Sequence, residues 1–286
     1  MFNRLNSFLN WSVKVCKLFG IPISLHITLV FFLLPALAGR GGWGIWYSLE
    51  WVFLIVFSIL LHELGHALTA KRYKMTGLSI MLHGFGGFAV SSGYRTPTQS
   101  LVISLMGPAV TFAWGGLCLA VGYYGTQTLE PLSAVWMQMF LIHSLGSFNI
   151  FMGILNLLPS LPFDGGQSLV AILNRKHSHI KSTRFVCHLG LILTAPLTLY
   201  GFITNQGFLT IFGLMGFVTS LGTLLQSGGV KFSEPFDDRK HRKELEAAQK
   251  RKEEKAQSYL DNVRDREKER ADRERLRKIL EQSIED

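Results

Sequence analysis

Two histidines four positions apart, His62 and His66, are the first residues in the chain whose types and spacing could do chemistry. Residues four apart on an α-helix lie on the same face, so the two imidazoles can bind one metal ion. Glu63 directly follows the first histidine and is placed to accept a proton from a water molecule on that metal. The pattern H-E-x-x-H therefore predicts a metal site with an adjacent general base.

The chain around these residues is too apolar for a soluble domain. Residues 231–286 hold 17 of the 29 basic and 16 of the 20 acidic side chains. Only four acids precede that segment, and they are Glu50, Glu63, Glu130 and Asp164. About a quarter of the residues in a soluble domain are charged. This scarcity excludes a soluble globular enzyme and a soluble nucleic-acid binder, and it predicts a chain embedded in a lipid bilayer.

Long runs without charged residues predict an all-α polytopic membrane protein with six transmembrane helices in a domain over residues 1–230. The predicted spans are 22–39, 46–70, 99–124, 133–157, 185–203 and 207–227. Eleven basic residues of this domain fall on one side of the predicted topology, and only Arg40 falls on the other. The excess of basic residues predicts that both termini are cytoplasmic, in a protein that we expect in the cell membrane.

A third metal ligand is expected, because zinc sites that do chemistry have three protein ligands and an open position. The predicted topology puts Glu50 and Glu130 at the far ends of their helices, which leaves Asp164. Asp164 follows the fourth predicted span, on the same membrane side as the two histidines. Charge scarcity and topology therefore pair Asp164 with them. The alternative is that Asp164 caps a helix running from Gly165 to Leu173.

Between the second and third predicted spans, two short apolar runs flank a glycine-rich turn within residues 77–91. This pattern predicts a small membrane-associated β-hairpin, and a plain connecting loop is the alternative. We expect His83, which precedes the turn, to make a polar contact in the hairpin rather than to bind metal.

The sequence resembles the site-2 protease family of intramembrane zinc metalloproteases over roughly residues 20–227. Two motifs carry this resemblance, H-E-L-G-H at 62–66 and N-x-x-P-x-x-P-x-D-G at 156–165. The resemblance implies one Zn²⁺ per chain, held by His62, His66 and Asp164. It also implies that Glu63 is the general base and acid, and that Asn156 helps to position the substrate near the metal.

The same resemblance implies a zinc endopeptidase that hydrolyses a peptide bond in the cytoplasmic half of a transmembrane substrate, as in regulated intramembrane proteolysis. In that family a similar hairpin pairs with an unwound substrate strand. The corresponding substrate-binding candidates here are Gly84, Phe85, Gly86 and Gly87. The alternative function is a catalytically silent membrane scaffold of the same fold.

The remaining segment, 231–286, mixes charges of both signs and has few apolar residues. Repeated pairs of opposite charge at helical spacing predict a charged cytoplasmic C-terminal helix. Its basic residues are almost balanced by acids, so we expect no nucleic-acid partner. A homo-oligomer contact or a cytoplasmic protein partner is the role that we expect for this helical tail.

Overall fold

The computed structural model describes residues 12–30, 44–84, 86–131 and 133–226, and all structural statements below concern this part of the chain. It contains five helices long and apolar enough to cross a membrane. In chain order the helices are α1 (Gly44–Arg72), α2 (Pro97–Thr128), α3 (Ala134–Asn156), a short α4 (Asp164–Leu173), α5 (His179–Ile203) and α6 (Gly207–Gln226). The short α4 is not one of the five. The shortest candidate span, α6, has 20 residues, enough to cross about 30 Å of hydrocarbon at ~1.5 Å per residue.

Five of the six predicted spans each correspond to one of these long helices. The first predicted span, 22–39, is wrong where it can be compared, since Ile21–His26 is a β-strand and Ile27–Leu29 is a short 3₁₀ turn. Its remainder from residue 31 onward lies outside the described residues. The predicted charged helix at 231–286 also lies outside them.

The expected all-α class is corrected by a four-stranded sheet. Its strands are β1 (Ser12–Leu18), β2 (Ile21–His26), β3 (Thr76–His83) and β4 (Gly86–Ser92), and they lie side by side in that order. The β1–β2 and β3–β4 pairs are antiparallel, whereas β2 and β3 run parallel. The predicted hairpin is therefore confirmed as β3 and β4, and the plain connecting loop is wrong. The strands β1 and β2 were not predicted.

The sheet packs against the part of α1 that carries the histidines. Its buried side chains form one apolar cluster with two residues of that helix, and the cluster consists of Ile21, Ile23, Ile80, Leu82, Leu64 and Ala67. The alternation of Ile21 and Ile23 along β2 buries one face of the strand. At the end of α1, the Lys71 Nζ donates a hydrogen bond of 2.6 Å to the backbone oxygen of Phe19. The sheet is thus attached to α1 within the histidine segment and again one to two turns after it.

Close approach of helix backbones explains several glycines in the apolar helices. A Cβ atom on Gly146 of α3 would lie 2.5 Å from the backbone nitrogen of Leu119 on α2. A Cβ atom on Gly213 of α6 would lie 2.5 Å from the Thr198 hydroxyl on α5. Small residues at such crossings maximise van der Waals contact where no water is available to drive association. These crossings place α2 beside α3 and α5 beside α6.

Candidate metal centre

The Nε2 atoms of the two histidine rings face each other. The His62 Nε2 and His66 Nε2 atoms are 3.1 Å apart, and both side chains are buried. On the other side of each ring, His62 Nδ1 bonds to the Thr111 hydroxyl at 2.8 Å, and His66 Nδ1 bonds to the backbone oxygen of Ile103 at 2.7 Å. The carbonyl of Ile103 can only accept, so His66 Nδ1 carries the proton. The lone pair of His66 Nε2 is then free to bind a metal ion.

The carboxylate of Asp164 completes this group. Its Oδ2 atom lies 3.0 Å from His62 Nε2, and its Oδ1 atom lies 3.3 Å from His66 Nε2. Among the described residues, these three form the one group of at least three His, Cys, Asp or Glu side chains that could hold a metal ion. The structure therefore brings together the residues that charge scarcity and topology paired.

Asp164 reaches the histidines from the first residue of α4. The N-cap of that helix is Phe163, and no side chain caps it, so the alternative capping role for Asp164 is wrong. The preceding loop packs tightly under the helix. A Cβ atom on Gly165 would lie 2.1 Å from the backbone oxygen of Leu157, and one on Gly166 would lie 2.4 Å from that of Ser160. Only glycine at these positions lets the loop present Asp164 in this way.

Two buried serine pairs hold the loop and α4 in place. One turn after Asp164, the Ser168 hydroxyl bonds to the Ser104 hydroxyl of α2 at 2.8 Å. The Ser160 hydroxyl in the loop lies 3.3 Å from the Ser220 hydroxyl of α6. Buried hydroxyl pairs satisfy both groups where water is excluded. Asp164 is therefore positioned by contacts to two different membrane helices.

A glycine of α2 forms the wall behind the histidines. A Cβ atom on Gly107 would lie 2.2 Å from His66 Nε2 and 2.8 Å from His62 Nε2. The space that a side chain would fill is therefore occupied by the two ring nitrogens. Any residue larger than glycine at this position collides with the metal-facing edge of both rings.

Glu63 lies between α1 and the hairpin. Glu63 is 5 % exposed, and a Cβ atom on Gly87 of β4 would lie 2.6 Å from the Glu63 Cγ atom. The strand therefore passes directly over the glutamate, and a glycine is needed at the contact. Glu63 directly follows His62 in the chain, and a buried carboxylate beside a metal group can accept and return a proton.

The other predicted site residues, where the structure describes them, are not members of the group of candidate metal ligands. The backbone N–H of Gly84 donates a 3.0 Å hydrogen bond to the Thr28 hydroxyl, and Gly86 has a φ of 131°, a conformation suited to glycine. Phe85 lies outside the described residues. Asn156 is the half-buried last residue of α3, where the loop to Asp164 begins. His83 packs its ring on Phe88 and does not belong to the metal group.

Three groups of α2 that contact the histidines were not predicted from the sequence. They are the Ile103 carbonyl, the Thr111 hydroxyl and Gly107, whose missing side chain leaves room for both rings. Gly107 precedes Pro108, and this pair is typical of a helix kink as well as of close packing. Thr111 is the only one of the three contributors with a polar side chain, and a hydroxyl in an apolar helix usually bonds to its own backbone.

Comparison with known proteins identifies similar zinc metalloproteases. The family model described as Peptidase family M50 matches residues 50–143. The zinc metalloprotease MJ0392 of Methanocaldococcus jannaschii is 33 % identical over 208 residues, which cover 72 % of this chain and 58 % of that protein. The putative zinc metalloprotease sll0528 of Synechocystis is 32 % identical over 182 residues, which cover 58 % of this chain and 45 % of that protein. The chain thus spans about half the length of these two relatives.

A solved structure shares the fold. The site-2 protease from Methanocaldococcus jannaschii superposes with a TM-score of 0.54 and 29 % sequence identity. The superposition covers 79 % of this chain and 100 % of that one.

Proposed function

We propose that the chain is a zinc endopeptidase related to the site-2 proteases of peptidase family M50, and that it cuts transmembrane proteins inside the bilayer. The observation that carries the proposal is the convergence of two histidines, an aspartate and a glutamate in one buried site. Each of these ionisable groups is costly in a bilayer and is retained there for a functional reason.

The donor set supports zinc as the cofactor, with one ion per chain. Two imidazole nitrogens and one carboxylate are donors that zinc takes in catalytic sites, which leave a fourth position open. Zinc bonds of about 2.0–2.2 Å place the ligand atoms of a tetrahedral site about 3.3–3.6 Å apart. The separations among His62, His66 and Asp164 are 3.0–3.3 Å. Because Gly107 has no side chain, the two Nε2 atoms can occupy the space that a side chain there would fill.

In the proposed mechanism, Glu63 moves the protons. Zinc bound at this site would make a water molecule acidic near neutral pH and would polarise the scissile carbonyl. Glu63 accepts the proton of that water and then donates it to the nitrogen of the leaving amine, so it is regenerated in each cycle. Asn156, at the start of the loop to Asp164, is proposed to orient the substrate through its side-chain amide.

The substrate class follows from the depth of the site and from the hairpin. His66 lies about six residues before the end of α1, roughly 9 Å along the helix axis. Basic residues cluster at this end, which supports a cytoplasmic orientation, and they are Lys71, Arg72, Lys74 and Arg95. Cleavage is therefore proposed in the cytoplasmic half of a substrate span, in an integral membrane protein with both termini in the cytoplasm.

The hairpin is proposed to hold the substrate as an added strand. In the described part of the sheet, β4 is one of the two edge strands, and it lies against Glu63 through Gly87. Its outer edge can pair with an extended peptide, which would place a peptide bond near the base. Gly84, Phe85, Gly86 and Gly87 are proposed to contact the substrate there. A homo-oligomer or a cytoplasmic partner is proposed to contact the charged segment 231–286.

The test is the isosteric substitution Glu63→Gln in purified protein, assayed on a panel of single-span peptides. It should leave zinc content unchanged and reduce cleavage by about 10²–10⁴-fold, because a positioned general base contributes that much. Glu50→Gln makes the same change of charge in the same helix, about 20 Å away along its axis, and should cleave normally. Cleavage by the Glu63→Gln variant at the wild-type rate would contradict the proposed role of Glu63.

The alternative of a catalytically silent scaffold makes a different prediction. A scaffold would bind the single-span peptides without cutting them, whether or not zinc is present. Wild-type protein that holds one zinc yet cleaves no member of the panel would favour this alternative.

A further inference from the structure

One face of α2 contacts the metal-binding histidines at three successive positions. Ile103, Gly107 and Thr111 are spaced four residues apart, so they lie along the same side of the helix. Their three contributions differ. Ile103 offers a backbone oxygen to His66, Gly107 offers space to both rings, and Thr111 offers a hydroxyl to His62.

The contacts of Thr111 fit a hydrogen bond in which His62 is the donor. The hydroxyl donates its one hydrogen to the backbone oxygen of Gly107, at 3.2 Å. With its hydrogen directed there, the hydroxyl accepts from His62 Nδ1 at 2.8 Å, and this is the direction that a metal ion on His62 Nε2 would require. His62 then carries its proton on Nδ1, and the lone pair of Nε2 faces His66 and Asp164.

We propose that Thr111 is a positioning residue, which holds the His62 ring with its Nε2 lone pair toward the metal. This inference rests on the proposed zinc metalloprotease function. Thr111 is buried, so no water competes for the Nδ1–H group. Without the hydroxyl, that donor loses its partner in a buried site, which costs free energy. The ring can avoid an unpaired Nδ1–H group by rotating or by moving its proton to Nε2. Either change turns the Nε2 lone pair away from the metal or removes it.

The hydrogen bond between Thr111 and His62 can be removed by a side-chain substitution. The equivalent partner of His66 is a main-chain oxygen, which side-chain substitution leaves in place. Thr111→Val keeps the shape and loses only the hydroxyl, whereas Thr111→Ser keeps the hydroxyl and loses a methyl group. Thr111→Ala differs from Thr111→Ser by one oxygen atom, so it provides a second matched pair if the valine variant does not fold.

The experiment measures zinc affinity of the purified full chain by titrating Zn²⁺ against a competing chelator. Loss of a group that orients a metal ligand typically weakens metal binding by about 10–100-fold. We expect a loss of that size in Thr111→Val and Thr111→Ala, and affinity within about threefold of wild type in Thr111→Ser. The control is Thr198→Val, because the Thr198 hydroxyl also bonds to a backbone oxygen four residues earlier but lies on α5. It should bind zinc normally.

The outcomes separate this inference from the proposed function. Wild-type affinity in both Thr111→Val and Thr111→Ala would overturn the role of Thr111 alone. Equal losses in Thr111→Ser and Thr111→Ala would overturn it too, because the oxygen would then not matter. Wild-type protein that binds no zinc would overturn both proposals. Full cleavage by Glu63→Gln together with a hydroxyl-dependent zinc affinity would overturn only the proposed role of the base.

Discussion

Replacing Gly107 by alanine should abolish zinc binding by displacing the histidine rings that lie against it. The new Cβ atom would lie 2.2 Å from His66 Nε2, 2.4 Å from His66 Cε1 and 2.8 Å from His62 Nε2. Non-bonded heavy atoms in contact are about 3.5 Å apart, so the His66 ring would have to move by roughly 1 Å. Metal–ligand distances tolerate only about 0.2 Å. The alanine therefore displaces at least one ligand.

The expected loss of affinity is larger than that for Thr111→Val. Changing a group that merely orients a ligand costs about 10–100-fold in metal affinity, so displacing the ligand itself should cost more than ~100-fold. The fold should survive. Alanine favours a helix interior over glycine by roughly 1 kcal/mol, while overpacking costs about 1–3 kcal/mol. The net destabilisation is therefore about 0–2 kcal/mol, which is small enough for the protein to remain folded in detergent.

The assay is zinc content and chelator competition on purified protein, with thermal unfolding measured in parallel. Gly116→Ala is the matched control, because Gly116 lies on the same helix and a Cβ atom there would meet nothing within 4 Å. It should bind zinc normally. Wild-type zinc affinity in a folded Gly107→Ala variant would refute the reasoning, because the histidine rings could not then lie where the structure has them.

Two further predictions concern the surroundings of the site. Gly190→Ala would place a Cβ atom 2.5 Å from the Ser160 hydroxyl oxygen and 2.6 Å from that of Ser220. It should therefore lower the free energy of unfolding by about 1–3 kcal/mol. It should also weaken zinc binding, because Ser160 lies in the loop that leads to Asp164. Gly222→Ala, with open space around it, should change neither property. Burial, and then the neighbouring charge of His26, lower the pKa of His83 in the folded protein. The unfolded chain then binds more protons, so the free energy of unfolding should fall as the pH drops through about 6.5, and His83→Gln should reduce this dependence in thermal unfolding measured against pH.

The pairing of Asp164 with the two histidines could be predicted from sequence because the chain has so few acids to choose from. Four acidic side chains precede residue 231, and helix direction alone separates Asp164 from Glu50 and Glu130. The structure brings Asp164 within 3.3 Å of both histidines. In a soluble protein with many surface carboxylates, the same argument would leave many candidates.

The predicted span at 22–39 failed for a different reason. An uncharged stretch indicates burial, but it does not distinguish a buried strand from a membrane helix. The side chains of β2 alternate between buried and half-buried over only a few residues, and Pro22 lies among them. The strand forms because β3, more than fifty residues later, supplies its parallel partner. Such long-range pairing leaves only a weak local signal.

The role of Thr111 could not be predicted because its local pattern is ordinary. Its hydroxyl bonds to the backbone oxygen four residues earlier, as do those of Thr194 and Thr223. Only the crossing of α1 and α2 distinguishes it, by bringing His62 Nδ1 within 2.8 Å of the hydroxyl oxygen. That crossing depends on Gly65, where a Cβ atom would lie 2.7 Å from the backbone oxygen of Met106. The glycine inside the H-E-L-G-H motif therefore lets α2 approach closely enough to support the histidines on either side of it, so the motif encodes helix packing as well as the proposed metal ligands.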